Sequence, residues 1–307
     1  MRALVTGGAG FIGSHIVEEL LRGGASVRVL DNFSSGKREN LESFQGDLEI
    51  LEGDLRDAQA IKAATRDVDL VFHLAAFVSV PQSMSEPETC FAINVAGTVT
   101  LLEAACRAGV RKVVLSSSTA VYGNPDKFPT DEEAPLWPLS PYALSKQVNE
   151  LYARLYTQTF NLPVTALRYF NVYGPRQRPD SDYAAAISIF TRQLADKEPI
   201  TIFGDGKQSR DFIFVKDVVR ANLLAAESAA GEVFNICTGR ETTLFDLLEE
   251  LSELGFHQPE VRFEAPRPGD IYRSKGDPDK AASILGFRAA TSLADGLAKT
   301  MEWMISK

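Results

Sequence analysis

Apolar runs of strand length recur through the first half of the chain: RALVT (2–6), SVRVLD (26–31), LEILEGD (48–54), DLVFHLAA (69–76) and KVVLSSS (112–118). Between several of them lie longer segments with helical periodicity, such as FIGSHIVEELLRGG (11–24) and ETCFAINVAGTVTLLEAACRAG (88–109). Buried-looking strands that alternate with helices predict a parallel sheet covered on both faces, the Rossmann-type doubly wound α/β class. A further helix over 141–160 leads to the strand VTALRYF (164–170).

After Asn171 the rhythm breaks. NVYGPRQRPDSDYAAA is rich in Pro, Gly and polar residues and reads as a loop. Helix resumes near 183–196. Then come ITIFGDGKQSRDFIFV (200–215), a helix from Asp217, a strand in EVFNICTG (232–239) and a helix from about 243, while PRPGD (266–270) marks another loop. The expected organisation is a sheet domain over 1–170, to which 213–239 returns, and a smaller, partly interleaved C-terminal substrate lobe made of 171–212 and 240–307.

Composition narrows the function classes. A net charge of −9 disfavours nucleic acid as the main partner. The three cysteines, Cys90, Cys106 and Cys237, are far apart and odd in number, so neither a disulfide framework nor a zinc spacing is expected, which fits a reducing, cytoplasmic setting. MRALVTGGAG leads straight into the first strand without a signal-peptide pattern, and no apolar run is expected to span a membrane. Three histidines without an HExxH pattern argue against a metal site.

Chemistry enters at TGGAGFIGSH (6–15), which follows the first strand and opens the first helix. Gly7, Gly10 and Gly13 allow a tight turn and the close approach of a pyrophosphate, whose charge would sit on free N–H groups at the positive helix end. Asp31 ends the second strand. A carboxylate there accepts hydrogen bonds from an adenosine ribose and repels a 2′-phosphate, which favours NAD over NADP; Lys37 and Arg38 weaken that exclusion slightly. Asp54, ending the third strand, suits either an adenine edge or a solvated strand end.

SPYALSKQVNE (140–150) sets Tyr142 four residues before Lys146, on one face of a helix start. An ammonium there favours phenolate, although a surface tyrosine beside a solvated lysine has the same spacing. The fifth strand ends in Ser116, Ser117 and Ser118, and ligands of doubly wound sheets lie at the carboxyl ends of strands. A hydroxyl, a phenol and an ammonium can therefore converge on a nicotinamide, with Lys146 and the cation NAD⁺ both expected to lower the Tyr142 pKa. His73 reads as a strand-end residue near the cofactor or as a buried, satisfied histidine. Cys237 reads as core and Trp137 as loop packing.

Those motifs, with GDLRD (53–57), HLAA (73–76), SSSTAVYG (116–123), RYFNVYGPRQ (168–177), GDGKQSRDFIFVKD (204–217) and RPGD (267–270), resemble the extended short-chain dehydrogenase/reductase family. Within it the chain is most similar to the NAD-dependent nucleotide-sugar 4-epimerases of the UDP-hexose type, essentially end to end. The resemblance implies Ser118, Tyr142 and Lys146 as the catalytic set. It implies NAD contacts from Gly7, Gly10, Phe11, Ile12, Gly13, Asp31 and Asn32. Asp54, Leu55, Leu74, Ala75, Ala76, Asn94, Tyr142, Lys146 and Tyr169 complete that set. For a UDP-sugar substrate it implies Ser79, Ser118, Tyr142, Asn171, Arg210, Arg267, Asp270 and Ser274. Two arginines suit a pyrophosphate, because guanidinium forks match phosphate oxygens. A homodimer through two helices per subunit is also implied, with 88–109 and 141–160 as candidates.

Dehydratases similar to this chain carry Asp-Glu after the catalytic hydroxyl residue, and the related decarboxylases carry Glu at the second of those positions. Here they are Thr119 and Ala120, which cannot do carboxylate chemistry. The resemblance therefore implies 4-epimerisation through a transient 4-keto sugar, with NAD regenerated. Ser274 matches a position beside the sugar's C2 substituent, and its small size leaves room for UDP-GlcNAc/UDP-GalNAc as well as UDP-glucose/UDP-galactose. The alternatives are a UDP-glucuronate 4-epimerase, another NAD-dependent dehydratase or oxidoreductase, and an inactive NAD-binding sensor.

Overall fold

The computed structural model describes residues 1–178, 186–228, 231–254, 260–265 and 271–306. The first half lays down β1 (Arg2–Thr6), β2 (Ser26–Asp31), β3 (Leu48–Glu52), β4 (Leu70–His73), β5 (Lys112–Ser118) and β6 (Val164–Tyr169). The second adds β7 (Asn171–Tyr173), β8 (Ile200–Phe203), β9 (Ser209–Arg210), β10 (Phe212–Phe214), β11 (Val233–Ile236), β12 (Thr242–Thr243) and β13 (Val261–Glu264). Seven strands form one parallel sheet in the order β11-β6-β5-β4-β1-β2-β3, the expected doubly wound fold. The chain winds outward from β1 in one direction and restarts at β4 in the other. The crevice between β1 and β4 is thus the switch point where such sheets bind ligands.

Both faces of the sheet are covered, which is why its strands are apolar throughout. On one face Ile16, Val17 and Leu20 of the helix Phe11–Arg22 pack with Val218, Val219 and Ala221 of the helix Val215–Glu227. On the other, Ile61 and Ala64 meet Leu101, Leu102, Ala105 and Ala153. Contrary to expectation, one helical run, Pro87–Ala108, is long and apolar enough to cross a bilayer by length and composition. In this fold Leu101, Leu102 and Ala105 bury part of that apolar content in the sheet core. The run is continuous but not uniform: residues Ala92–Ala96 form a π-helical turn between two α-helical parts.

The remaining strands pair outside the large sheet, β7 with β10, β9 with β12 and β8 with β13. Their shared core contains Tyr173, Phe190, Ile202, Phe214, Leu247 and Met301. Segment 233–236 returns to the large sheet as β11. The described residues after 240 are found on both sides, because Ala281, Leu285 and Phe287 pack with Val218 in the sheet core while Leu297 and Met301 join the smaller one.

Candidate active site

A cavity of about 880 Å³ opens at the carboxyl ends of the strands. The glycine loop forms one wall. Gly7 is left-handed at φ +68°, and a Cβ there would come within 2.7 Å of the Ala75 nitrogen. A Cβ on Gly13 would come within 2.1 Å of the Gly7 carbonyl oxygen. Gly10 opens the helix Phe11–Arg22 without any side-chain cap, so its first N–H groups face the cavity for an anion. This cradle, closed to any side chain and lined with helix-end donors, fits a dinucleotide pyrophosphate.

Two strands supply the acids. Asp31 is 7% exposed; Oδ2 accepts from the Ala9 N–H at 2.9 Å and Oδ1 from the Phe33 N–H at 2.8 Å. Burial pushes its pKa up, and those two bonds counteract the shift. Asp54 accepts from Asn32 Nδ2 at 2.7 Å and from Arg56 Nε and Nη2 at 2.8 Å each. The Arg56 guanidinium holds the Asp54 carboxyl well below the usual carboxylate range. β3 ends at Glu52 and β4 at His73, earlier than their apolar runs suggest, and Gly53, Asp54, Leu74, Ala75 and Ala76 line the cavity as loop residues.

Of the expected cofactor residues, Asn94 alone does not line this cavity. It lies buried in the π-helical turn, where Oδ1 accepts from the Phe77 N–H at 2.7 Å and Nδ2 donates to the Phe77 carbonyl at 3.0 Å and to Ser145 Oγ at 3.0 Å. Asn94 thus shapes the wall by fixing the loop that follows β4. Tyr169 does line the cavity, while its hydroxyl donates to Asn222. His73 is a structural residue: Nδ1 meets Thr6 Oγ1 at 2.7 Å and Nε2 meets Thr98 Oγ1 at 2.9 Å. Thr98 already donates to the Asn94 carbonyl, so His73 carries its proton on Nε2. Burial, then Lys146, pushes its pKa down to about 3 and keeps it neutral.

The helix Pro141–Thr159 brings the phenol and the ammonium to β5. Ser140 caps it, accepting from the Ala143 N–H at 3.1 Å, Pro141 occupies the first turn, and the Tyr142 N–H donates to Ser83 Oγ at 3.2 Å. The Tyr142 phenol is hydrogen-bonded with Ser118. Lys146, 4% exposed, donates to the Ser116 carbonyl at 3.0 Å and to Ser116 Oγ at 3.4 Å. Its ammonium lies 5.8 Å from the Tyr142 ring centroid.

Here the structure corrects the expected electrostatics. Burial pushes the Tyr142 pKa up, the bond with Ser118 opposes that rise, and Lys146 is turned toward Ser116 rather than the phenol. Lys146 itself is pushed down to about 8 by burial.

Among the described residues, the expected substrate residues other than Tyr142 do not line this cavity. Ser118 Oγ accepts from the Ala120 N–H at 3.2 Å and caps the short turn Thr119–Tyr122, so the side chains of Thr119 and Ala120 follow directly on the phenol's partner. Ser79 caps the helix Val80–Ser85. Asn171, Arg210 and Ser274 gather on one spine: the Asn171 N–H donates to the Asp211 carbonyl at 3.0 Å, and the Ser274 N–H to the Ser209 carbonyl at 3.1 Å. Arg210 lies between, with Nη1 donating to the Ser209 carbonyl. Arg267 and Asp270 lie outside the described residues.

Asp211 holds this spine in place and went unnoticed in sequence. Fully buried, it accepts from the Thr238 N–H (2.8 Å) and hydroxyl (2.7 Å), and from the N–H groups of Gly239 (2.9 Å) and Gly276 (3.3 Å). Ser116, Ser117, Phe77, Arg176 and Trp303 also line the cavity without having been singled out as ligand contacts. Ser116 and Ser117 carried a signal inside SSSTAVYG, and Arg176 inside RYFNVYGPRQ.

The profile of the NAD dependent epimerase/dehydratase family matches residues 3–237. The chain is 42% identical over 312 residues to a UDP-glucose 4-epimerase of Mycolicibacterium smegmatis, covering 100% of this chain and 99% of that one. Among solved structures it is similar to a UDP-N-acetylglucosamine 4-epimerase of Methanobrevibacter ruminantium in complex with UDP-N-acetylmuramic acid. The TM-score is 0.96 and the identity 40%, over 99% of this chain and 98% of that one. It is also similar to the UDP-glucose 4-epimerase of Thermus thermophilus in complex with NAD, with TM-score 0.91 and 39% identity over 99% of each chain.

Proposed function

The chain belongs to the NAD dependent epimerase/dehydratase family, and from that premise we propose that it interconverts UDP-sugars differing in configuration at C4. UDP-glucose and UDP-galactose are the basic pair, and the small Ser274 leaves room for their N-acetylated counterparts. One observation carries the reading: Ser118, Tyr142 and Lys146 meet at the end of β5, beside a cradle fitted to a dinucleotide and next to Thr119 and Ala120. Without a carboxyl at those two positions, expulsion of water from the sugar has no acid there.

The glycine loop, Asp31 and the walls formed by Leu74, Ala75 and Tyr169 would hold NAD, which would supply reversible oxidation at C4. The chain's own groups handle the proton. Tyr142 takes it from the C4 hydroxyl and returns it to the same C4 oxygen once the sugar has turned its other face. Ser118 orients the phenol by hydrogen bonding. Lys146, fixed on Ser116, keeps a positive charge one helical turn away. Asn171, Arg210 and Arg267 hold the nucleotide diphosphate, leaving the sugar free to turn about it. Nothing is consumed, so the purified protein needs no added cofactor.

The active form is a homodimer in a reducing compartment, where Cys90, Cys106 and Cys237 remain free thiols. Leu144, Leu151 and Leu155 stand exposed on the helix Pro141–Thr159, beside the exposed Met84 and Phe91 of the helices packed against it. A second copy of the same face would cover them.

The test is proton NMR on UDP-galactose, UDP-GalNAc and UDP-glucuronate in turn, with no NAD added. A C4 epimer is expected from the first two, and Tyr142→Phe is expected to lower its rate by at least about 100-fold. Three unchanged sugars in the presence of protein-bound NAD would reject the reading.

A further inference from the structure

Three consecutive serines end β5, and each meets a different residue on one face of the helix Pro141–Thr159. Ser118 bonds with Tyr142 and Ser116 accepts from Lys146. Ser117 Oγ donates to Glu150 Oε1 at 2.5 Å. Tyr142, Lys146 and Glu150 are four residues apart, so they form one stripe. The mechanism uses the first two and leaves the third without a task.

Glu150 is 6% exposed and Arg168, on β6, is 3% exposed. The guanidinium grips the carboxylate with both arms of its fork, Nε to Oε1 at 2.9 Å and Nη2 to Oε2 at 2.7 Å. Arg168 Nη1 also donates to the Tyr122 hydroxyl at 2.7 Å, which donates in turn to Asn235 Oδ1 on β11 at 2.7 Å. Apolar side chains of similar volume would pack this site as well or better, so packing does not account for the charges.

We propose that Glu150 is a positioning residue for Lys146 and Tyr142: it anchors the end of β5 through Ser117 and sets a fixed negative charge one helical turn beyond the Lys146 ammonium. The proposal deepens the epimerase reading and rests on it for the roles of Tyr142 and Lys146. The groups that face Lys146 are few. β5 offers the neutral Ser116, β4 the neutral His73, and the helix Pro87–Phe91 the Cys90 thiol, whose pKa burial raises. Its own helix offers Tyr142 and Glu150. Among these described groups Glu150 is the one carboxylate, and after Cys90 it works against the burial that pulls the Lys146 pKa down. Without it, the ammonium is less well held and Arg168 adds an unbalanced like charge nearby.

The experiment follows the titration of Lys146 by carbon NMR in protein labelled at the lysine ε-carbons, with the resonance assigned by its loss in Lys146→Met. In Glu150→Gln the midpoint is expected to fall by roughly half a pH unit or more. The alkaline limb of epimerisation is expected to move with it, while KM for UDP-galactose stays within about twofold. Glu150→Asp, which keeps the charge, is expected to restore most of the midpoint. A midpoint that stays in place in Glu150→Gln overturns the proposal, and so does one equally low in Glu150→Asp. Should Glu150→Gln not fold, its combination with Arg168→Gln leaves no unpaired charge. A smaller shift in the same direction is then expected, and no shift overturns the proposal. Failure of the wild type to epimerise would strike the reading of the reaction and leave the midpoint comparison standing.

Discussion

Gly13 shows how narrow the tolerance of this site is. Its hydrogen faces the Gly7 carbonyl at a distance where no Cβ can stand, and the obstacle is backbone rather than a flexible side chain. Gly13→Ala is expected to lose NAD on purification and to unfold at lower temperature, at a cost of about 1–3 kcal/mol; measuring bound NAD and Tm side by side checks both. Such single positions were legible in sequence where local spacing decides them: Gly7, Gly10, Gly13 and the pair of Tyr142 with Lys146. Residues whose meaning comes from distant partners were not. Asp211 reads as an ordinary acid in QSRDF until Thr238, Gly239 and Gly276 close around it. Asn94 was expected among the cofactor contacts, yet its amide is bound to the Phe77 backbone. The electrostatic error at Tyr142 has the same origin: spacing put Lys146 on the right face but could not show its ammonium turning to Ser116.

At the scale of elements, apolar runs located the six strands β1 to β6 and the helices over 11–24, 88–109 and 141–160 because burial on both sides leaves little ambiguity. Strand ends were overestimated where the chain leaves the sheet to line the cavity, at Glu52 and His73. The helix Leu293–Ile305 and β13 were not identified from the pattern, being short or amphipathic in a mixed region. The element that matters most to function is the helix Pro141–Thr159, whose first turn carries Tyr142. Ser140 fixes that turn by accepting from Ala143. Ser140→Ala is expected to lower stability by about 1 kcal/mol and to reduce kcat several-fold, with bound NAD retained, because the phenol moves while the glycine loop does not. Denaturation midpoints and kcat on UDP-galactose measure the two effects separately.

On the scale of the whole molecule, the exposed stripe of Leu144, Leu151 and Leu155 makes a prediction about assembly. Leu151→Glu with Leu155→Glu is expected to shift the protein from dimer to monomer in light scattering, since two buried carboxylates at a self-facing patch would repel and lose hydration; a wild-type mass of one chain would reject the interface instead. The large sheet holds a further consequence in its outermost strand. β6 has β5 on one side and β11 on the other, yet residues 170–232 are made between β6 and β11. A ribosome adding roughly 5–20 residues per second leaves that edge bare for several seconds. A nascent chain in this state presents a ready template for pairing with its neighbours. Slower growth at low temperature lengthens the exposure but weakens hydrophobic sticking, so the yield of soluble protein depends on which of the two changes faster.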